Sequence, residues 1–197
     1  MAQQTNPVGA AVAKLPELEE PEGDPPARPD FTQLFASESS YVWSSLRRLG
    51  VREHDLEDLV HETFLVVHRH LHEFDPRRPI KPWLFGIAFR VAAGYRRLAR
   101  THREVPTERI EAIDLHPAAD EMVEAKQAQA LVTRALQSLD LDRRAILLMH
   151  EFDGHTVPQI AEVLAIPLNT AYSRLRLARE QFVTACRRLR GKRGGER

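Results

Sequence analysis

The sequence predicts an all-α fold: two small helical domains joined by an acidic flexible linker, the second of them a helix-turn-helix. Three observations predict it. Apolar residues recur three and four apart in successive segments, the spacing of a helix that buries one face. Two stretches break that period, residues 1–29 and 104–122, and both are acidic and carry prolines, which reads as a tail and a linker rather than as packed chain. Near the C-terminus, HTVPQIAEVLAIPLNTAYSRLRLARE at 155–180 reads as two helices around a tight turn. The 197 residues suffice for one or two cores. They divide into a tail at 1–29, a helical domain at 30–103, the linker at 104–122, a helix-turn-helix domain at 123–190 and a basic tail at 191–197.

In the first domain Phe31, Leu34, Phe35, Tyr41, Val42 and Leu46 need burial, and Gly50 ends the segment. Asp55 is a good N-cap for the next helix, with Glu57 and Asp58 in its first turn. Leu56, Val60, Phe64, Val67, Leu71 and Phe74 form its buried stripe. Its outward face sets Leu65 and Val66 among Asp58, Glu62 and Arg69, an apolar centre in a charged rim that suits a protein partner. His61, His68 and His72 share one side of this helix, and imidazoles four apart can share an ion. No carboxylate or thiol completes that set, and His61-Glu62 lacks the second histidine of a zinc-protease helix. The loop FDPRRPIKP brings Arg77, Arg78 and Lys81, and a third helix starts near Pro82. It buries Leu84, Ile87, Ala88, Val91, Tyr95 and Leu98 and exposes Gly86, Phe89, Ala93, Arg96 and Arg100. An aromatic beside arginines offers stacking next to phosphate-binding charge, which suits unpaired bases.

In the second domain Met122 to Leu139 reads as a helix, and Asp140 or Asp142 caps another through Ile146, Leu147 and Met149. Thr156 and Gln159 then make a capping box and Pro158 fits only a first turn, so a short helix begins near Val157. Ala165-Ile166-Pro167 interrupts it, because proline disfavours helix in the residue before it. From Leu168 a longer helix buries Leu168, Ala171, Leu175, Ala178 and Phe182. Asn169, Ser173, Arg176 and Glu180 lie opposite, flanked by Arg174 and Arg179. Amide, hydroxyl and guanidinium groups on one face can bond base edges and phosphates, the pattern of a DNA-reading helix-turn-helix. An ordinary helical hairpin has the same periodicity. The last turns, ACRRLRGKRGGER, fray into the basic tail.

Formal net charge is zero, but its distribution is segregated. Residues 75–103 hold eight bases against one acid, and residues 174–197 nine against two, with seven acids against one base at 104–125 between them. Two basic blocks separated by an acidic one suit two polyanion-facing surfaces. Cys186 is the single cysteine, so no internal disulfide forms and a reducing compartment fits. No apolar run reaches the ~20 residues of a membrane span, and the N-terminus lacks a basic-then-apolar export pattern, so a cytoplasmic protein is expected.

With both halves in view, the chain resembles the extracytoplasmic-function group of bacterial RNA polymerase sigma factors over residues 31–190. The resemblance rests on DLEDLVHETF at 55–64, FDPRRPIKPWLFGIAFRVA at 74–92 and PQIAEVLAIPLNTAYSRLRLAR at 158–179. It implies that Asp55, Asp58, Leu59, His61, Glu62 and Leu65 dock on the coiled coil of the polymerase's largest subunit. It implies that Arg77, Arg78, Lys81, Trp83, Phe89, Arg90, Arg96, Arg97 and Arg100 recognise and melt the minus-ten element, capturing a flipped base to offset unstacking. Asn169, Thr170, Tyr172, Ser173, Arg174, Arg176 and Arg179 are then the readers of the minus-thirty-five element. The acidic linker is similar to the segment that threads toward the RNA path. Implied partners are core RNA polymerase, promoter DNA and an anti-sigma factor, with no catalytic residue, metal, cofactor or membrane insertion, in a cytoplasmic, nucleoid-associated protein. His61, Phe89, Arg90, Gly94 and Leu177 depart from the residues usual in the family. The alternatives are a stand-alone helix-turn-helix regulator, which leaves the Leu65-Val66 patch unexplained, and a metal sensor or metal enzyme built on His61, His68 and His72.

Overall fold

The computed structural model describes residues 28–101 and 120–194, with side chains through residue 99 and from 127 to 191. Residues 1–27 of the expected 1–29 tail and most of the expected linker lie outside these residues. The described chain is helical and contains no strand. Asp30 opens helix α1, Phe31–Leu49, by accepting from the Gln33 amide at 3.0 Å. Gly50 closes it at φ 95°, a left-handed conformation that a β-carbon would strain. Phe31 and Phe35 of α1 meet Phe64 of α2, Leu56–His70, edge to face with centroids 6.4 and 4.7 Å apart.

Asp55 does not cap α2 as expected. Residues Glu53–Asp55 form a 3-10 turn ahead of the helix. The Asp55 carboxylate instead accepts from the Tyr95 hydroxyl at 2.6 Å, a tie from α2 to the third helix. Helix α3, Ile80–Thr101, begins two residues before Pro82, which falls within the first turn, where its missing N–H costs nothing. An Asx turn precedes it, with Asp75 Oδ1 accepting from the Arg77 amide at 3.0 Å.

The second half follows its sequence signals closely. Helix α4 is Asp120–Gln137, and α5 is Leu141–Leu147. Asp140 caps α5 by accepting from the Arg143 amide at 2.8 Å. Past Leu147 the chain widens into a π-turn, Leu148–Phe152, which no local pattern announces. The capping box of α6, Val157–Val163, is formed in both directions between Thr156 and Gln159. Ala165 takes φ 52° in the turn, and α7 then runs Leu168–Gly194 without fraying at Ala185.

The two halves share one core. A continuous buried cluster joins Leu46, Leu49, Phe85 and Ala88 of the first to Ile146, Met149, Ile160 and Ala171 of the second. Polar contacts seal the junction. Tyr41 donates to Asp153 at 2.8 Å, and burial first, then the Asp153 charge, pushes the phenol upward in pKa. Arg48 lies over the Phe152 ring at 5.4 Å.

At the centre Arg144, 2% exposed, donates to Leu49 O at 2.7 Å, Gln137 O at 3.0 Å and Leu139 O at 2.9 Å. A cation thus sits at the carbonyl ends of α1 and α4 together, where both helix dipoles favour it. Burial and the nearby Arg96 lower its pKa to about 10, leaving it charged at neutral pH. A β-carbon at Gly50 would run into its Nη1. Gly86 is the second required glycine: a β-carbon there would lie 2.9 Å from Val163 Cγ1, so its absence lets α6 close on α3.

Candidate functional site

Three surfaces carry the candidate residues. On α2, Asp58, His61, Glu62 and Leu65 face solvent, Leu65 at 58% exposure. Leu59 and Val66, expected at that surface, are buried at 7% and 8%. The reason is that α2 packs against α1 on one side and α3 on the other, so its buried face is wider than one stripe. Asp55 is held by Tyr95 and, at 3.2 Å, His54. The surface is therefore one aliphatic side chain amid two carboxylates and an imidazole.

The second surface is the N-terminal half of α3 with its leading loop. Trp83 is half-buried and tilts on Phe74 with centroids 5.1 Å apart. Arg77 and Lys81 are exposed, Lys81 over the Tyr41 ring at 5.5 Å. Arg78 donates to Glu162 of α6 at 2.7 Å. Arg90 donates to Val163 O at 3.3 Å, and burial lowers its pKa. Phe89, expected outward, is half-buried and packs against the core, and Gly86, also expected outward, is buried under Val163. Gly86 is covered because α6 lies on this face. Conversely Leu98, expected in the core, is 59% exposed. Arg96 is half-buried and Arg97 exposed, while the Arg100 side chain lies outside the described residues.

The third surface is the N-terminal half of α7. Ala171, Leu175 and Ala178 are buried, as the stripe requires, but Leu168 is 44% exposed. Asn169, Tyr172, Ser173 and Arg176 point outward and Thr170 is half-buried. The arginines have partners within the same domain: Arg174 with Asp142 at 3.2 Å, Arg176 with Glu180 at 2.7 Å and Arg179 with Glu151 at 2.7 Å. Such exposed pairs hold the guanidinium heads in place at little cost to a competing phosphate.

The histidines of α2 make other contacts. His68 sits edge-on to Phe31 at 4.9 Å, and His72 lies 3.5 Å from Glu73. No group of three metal-ligating side chains gathers among the described residues. Sequence reasoning missed Glu162, Tyr95 as the partner of Asp55, and Arg144. Each acts on a residue distant in sequence, and no local spacing marks it.

Comparison with known proteins gives the family. Residues 34–102 match the family model of sigma-70 region 2 and residues 129–182 that of sigma-70 region 4, together more than half of the chain. RNA polymerase sigma factor CnrH of Cupriavidus metallidurans is 27% identical over 160 residues, 77% of this chain and 84% of that protein. The ECF RNA polymerase sigma factor SigE of Mycolicibacterium smegmatis is 29% identical over 164 residues, 81% of this chain and 63% of that protein. Among solved structures, CnrH in complex with the cytosolic domain of CnrY superposes with a TM-score of 0.54 at 25% identity, covering 78% of this chain and 85% of that one. The sigma factor RpoE of Bartonella quintana, in complex with the anti-sigma factor NepR, shares the fold with a TM-score of 0.62 at 21% identity, covering 80% and 97%. The chain belongs to the sigma-70 family, in its extracytoplasmic-function group. It is a sigma factor that binds core RNA polymerase and promoter DNA and directs transcription initiation at particular promoters.

Proposed function

We propose that the three surfaces divide the work of initiation. Asp58, His61, Glu62 and Leu65 on α2 dock on the polymerase clamp, with Asp55 held in reserve by Tyr95. Arg77, Arg78, Lys81, Trp83, Phe89, Arg90, Arg96, Arg97 and Arg100 meet the minus-ten element. Asn169, Thr170, Tyr172, Ser173, Arg174, Arg176 and Arg179 enter the major groove at the minus-thirty-five element. The observation that carries this reading is α7: its stripe is buried while the amide, phenol, hydroxyl and guanidinium of Asn169, Tyr172, Ser173 and Arg176 face outward together.

The division follows the two matched regions, with residues 30–103 serving the polymerase and the minus-ten element and 123–190 the minus-thirty-five element. The chain catalyses no reaction itself and works in the cytoplasm at the nucleoid. It is held in check by an anti-sigma factor, a role suggested by the second polypeptide bound to CnrH.

Run-off transcription tests this reading. Core polymerase is assayed with and without the protein on a library of upstream regions that includes the one before its own gene. New defined start sites are the expected result. Failure to bind core polymerase would favour a stand-alone regulator.

A further inference from the structure

The N-terminal half of α7 carries an apolar step among its polar groups. Leu168, the first residue of the helix, is 44% exposed although Ala171, Leu175 and Ala178 of its stripe are buried. Tyr172, one turn on, is 53% exposed. Among the described residues these are the two exposed large apolar side chains that stand four apart on one helix. Phe152, in the same half, lies beneath Arg48, and Val183 follows Tyr172 by about three turns. Side chains on a helix lean toward its N-terminus, which sets Tyr172 over the turn that Leu168 opens. Asn169 and Ser173, both exposed, flank the pair.

The first turns of a reading helix are the ones that reach base edges. An aliphatic side chain there can make no hydrogen bond, so polar base edges give it nothing to recognise. One base differs: thymine alone presents a methyl group in the major groove. We propose that Leu168, backed by the Tyr172 ring, is a specificity-determining residue that reads the 5-methyl group of a thymine in the minus-thirty-five element. The methyl leaves water for an apolar surface, while adenine, guanine and cytosine offer no such group at that edge. Asn169 and Ser173 bond the polar edges beside it, so one turn of helix reads by hydrogen bonding and by apolar contact together. The proposal rests on the entry of α7 into the major groove, and its test keeps the two apart.

The test uses the full chain with core polymerase on the duplex promoter identified by run-off transcription. Each thymine of the minus-thirty-five element, on either strand, is replaced in turn by deoxyuridine, which pairs alike but lacks the methyl, and Kd is read by anisotropy. Wild type is expected to bind about fourfold more weakly when the contacted thymine is replaced, the worth of one buried methyl. Leu168→Ala should weaken binding to the thymine duplex by at least the same factor and lose nothing further on deoxyuridine at that position. Leu168→Met, which keeps an apolar side chain, should restore the discrimination.

A Leu168→Ala protein that binds both duplexes more weakly but still tells them apart would make Leu168 structural and overturn the proposal. Deoxyuridine tolerated at every position, while a scrambled minus-thirty-five element weakens binding, would overturn the methyl contact and leave α7 in the groove. A scrambled element bound as well as the original would overturn the placement of α7, and the proposal with it. Discrimination unchanged in Tyr172→Ala would overturn the part given to the ring.

Discussion

The two sets of arginines proposed to meet promoter DNA are held differently. Arg174, Arg176 and Arg179 of α7 pair with Asp142, Glu180 and Glu151, all within the helix-turn-helix half. Arg78, in the loop before α3, and Arg90 of α3 contact Glu162 and Val163 across the junction, and Arg78 also lies 3.8 Å from Asp75 of its own loop. A phosphate can displace the first set's partners with no larger movement, because exposed pairs contribute little. At the second set it competes with partners that the other half of the chain supplies. A free guanidinium and an accessible one are thus different things, and the difference lies in which domain supplies the partner.

The sharpest separation comes from a residue outside both sets. Asp58→Arg reverses the charge of the bare α2 face and is expected to abolish co-purification with core polymerase, with helical content and DNA binding unchanged. Unaltered co-purification would remove α2 from the polymerase interface. Next in size, Arg144→Ala strips the junction of its buried cation and leaves carbonyls of α1 and α4 unpaired. Denaturant unfolding should show a loss of about 2–4 kcal/mol. Hydrogen exchange should rise across the N-terminal half of α3 and not over the reading turn of α7; equal rises would break the contrast between the sets.

Arg176→Ala is expected to weaken binding to the cognate promoter by about 1–3 kcal/mol if the guanidinium reads a base. Equal loss on random DNA in filter binding would reassign it to phosphate.

The smallest effect is a pH dependence at the junction. Burial lowers the pKa of His155 below its ordinary 6.5, and the nearby Asp153 opposes the shift only in part. The folded state then binds fewer protons than the unfolded one below that value. The His155 contribution to stability is complete above pH 6.5 and shrinks as pH falls from there toward the depressed folded value. Urea titrations at pH 7.5 and 5.5 should show a drop in wild type that His155→Gln reduces.

What could be read from the sequence was whatever chain neighbours decide. The Thr156–Gln159 box, the Asp140 cap, the Gly50 stop and the buried Ala171, Leu175 and Ala178 all follow from spacing and side-chain chemistry. Several misreadings share one cause, a partner far along the chain. Asp55 has the chemistry of an N-cap, but Tyr95 takes its carboxylate. Val66 and Leu59 point off the central stripe, yet α2 is enclosed from both sides and buries them. Gly86 lies on a face that would be outward in an isolated three-helix domain, and α6 covers it. The polar character of α7 was legible; the pairing of its arginines was not, because Asp142 and Glu151 come from preceding elements.

The shared core has a calorimetric consequence. Leu46, Leu49 and Phe85 are sealed by residues of the other half, among them Ile146 and Met149, in one uninterrupted cluster. Melting either half alone would wet apolar area on both, so the closed chain should absorb heat in a single peak with matching van't Hoff and calorimetric enthalpies. Parting the halves should split that peak in two, and the separation of the peaks gives the energy with which each half steadies the other.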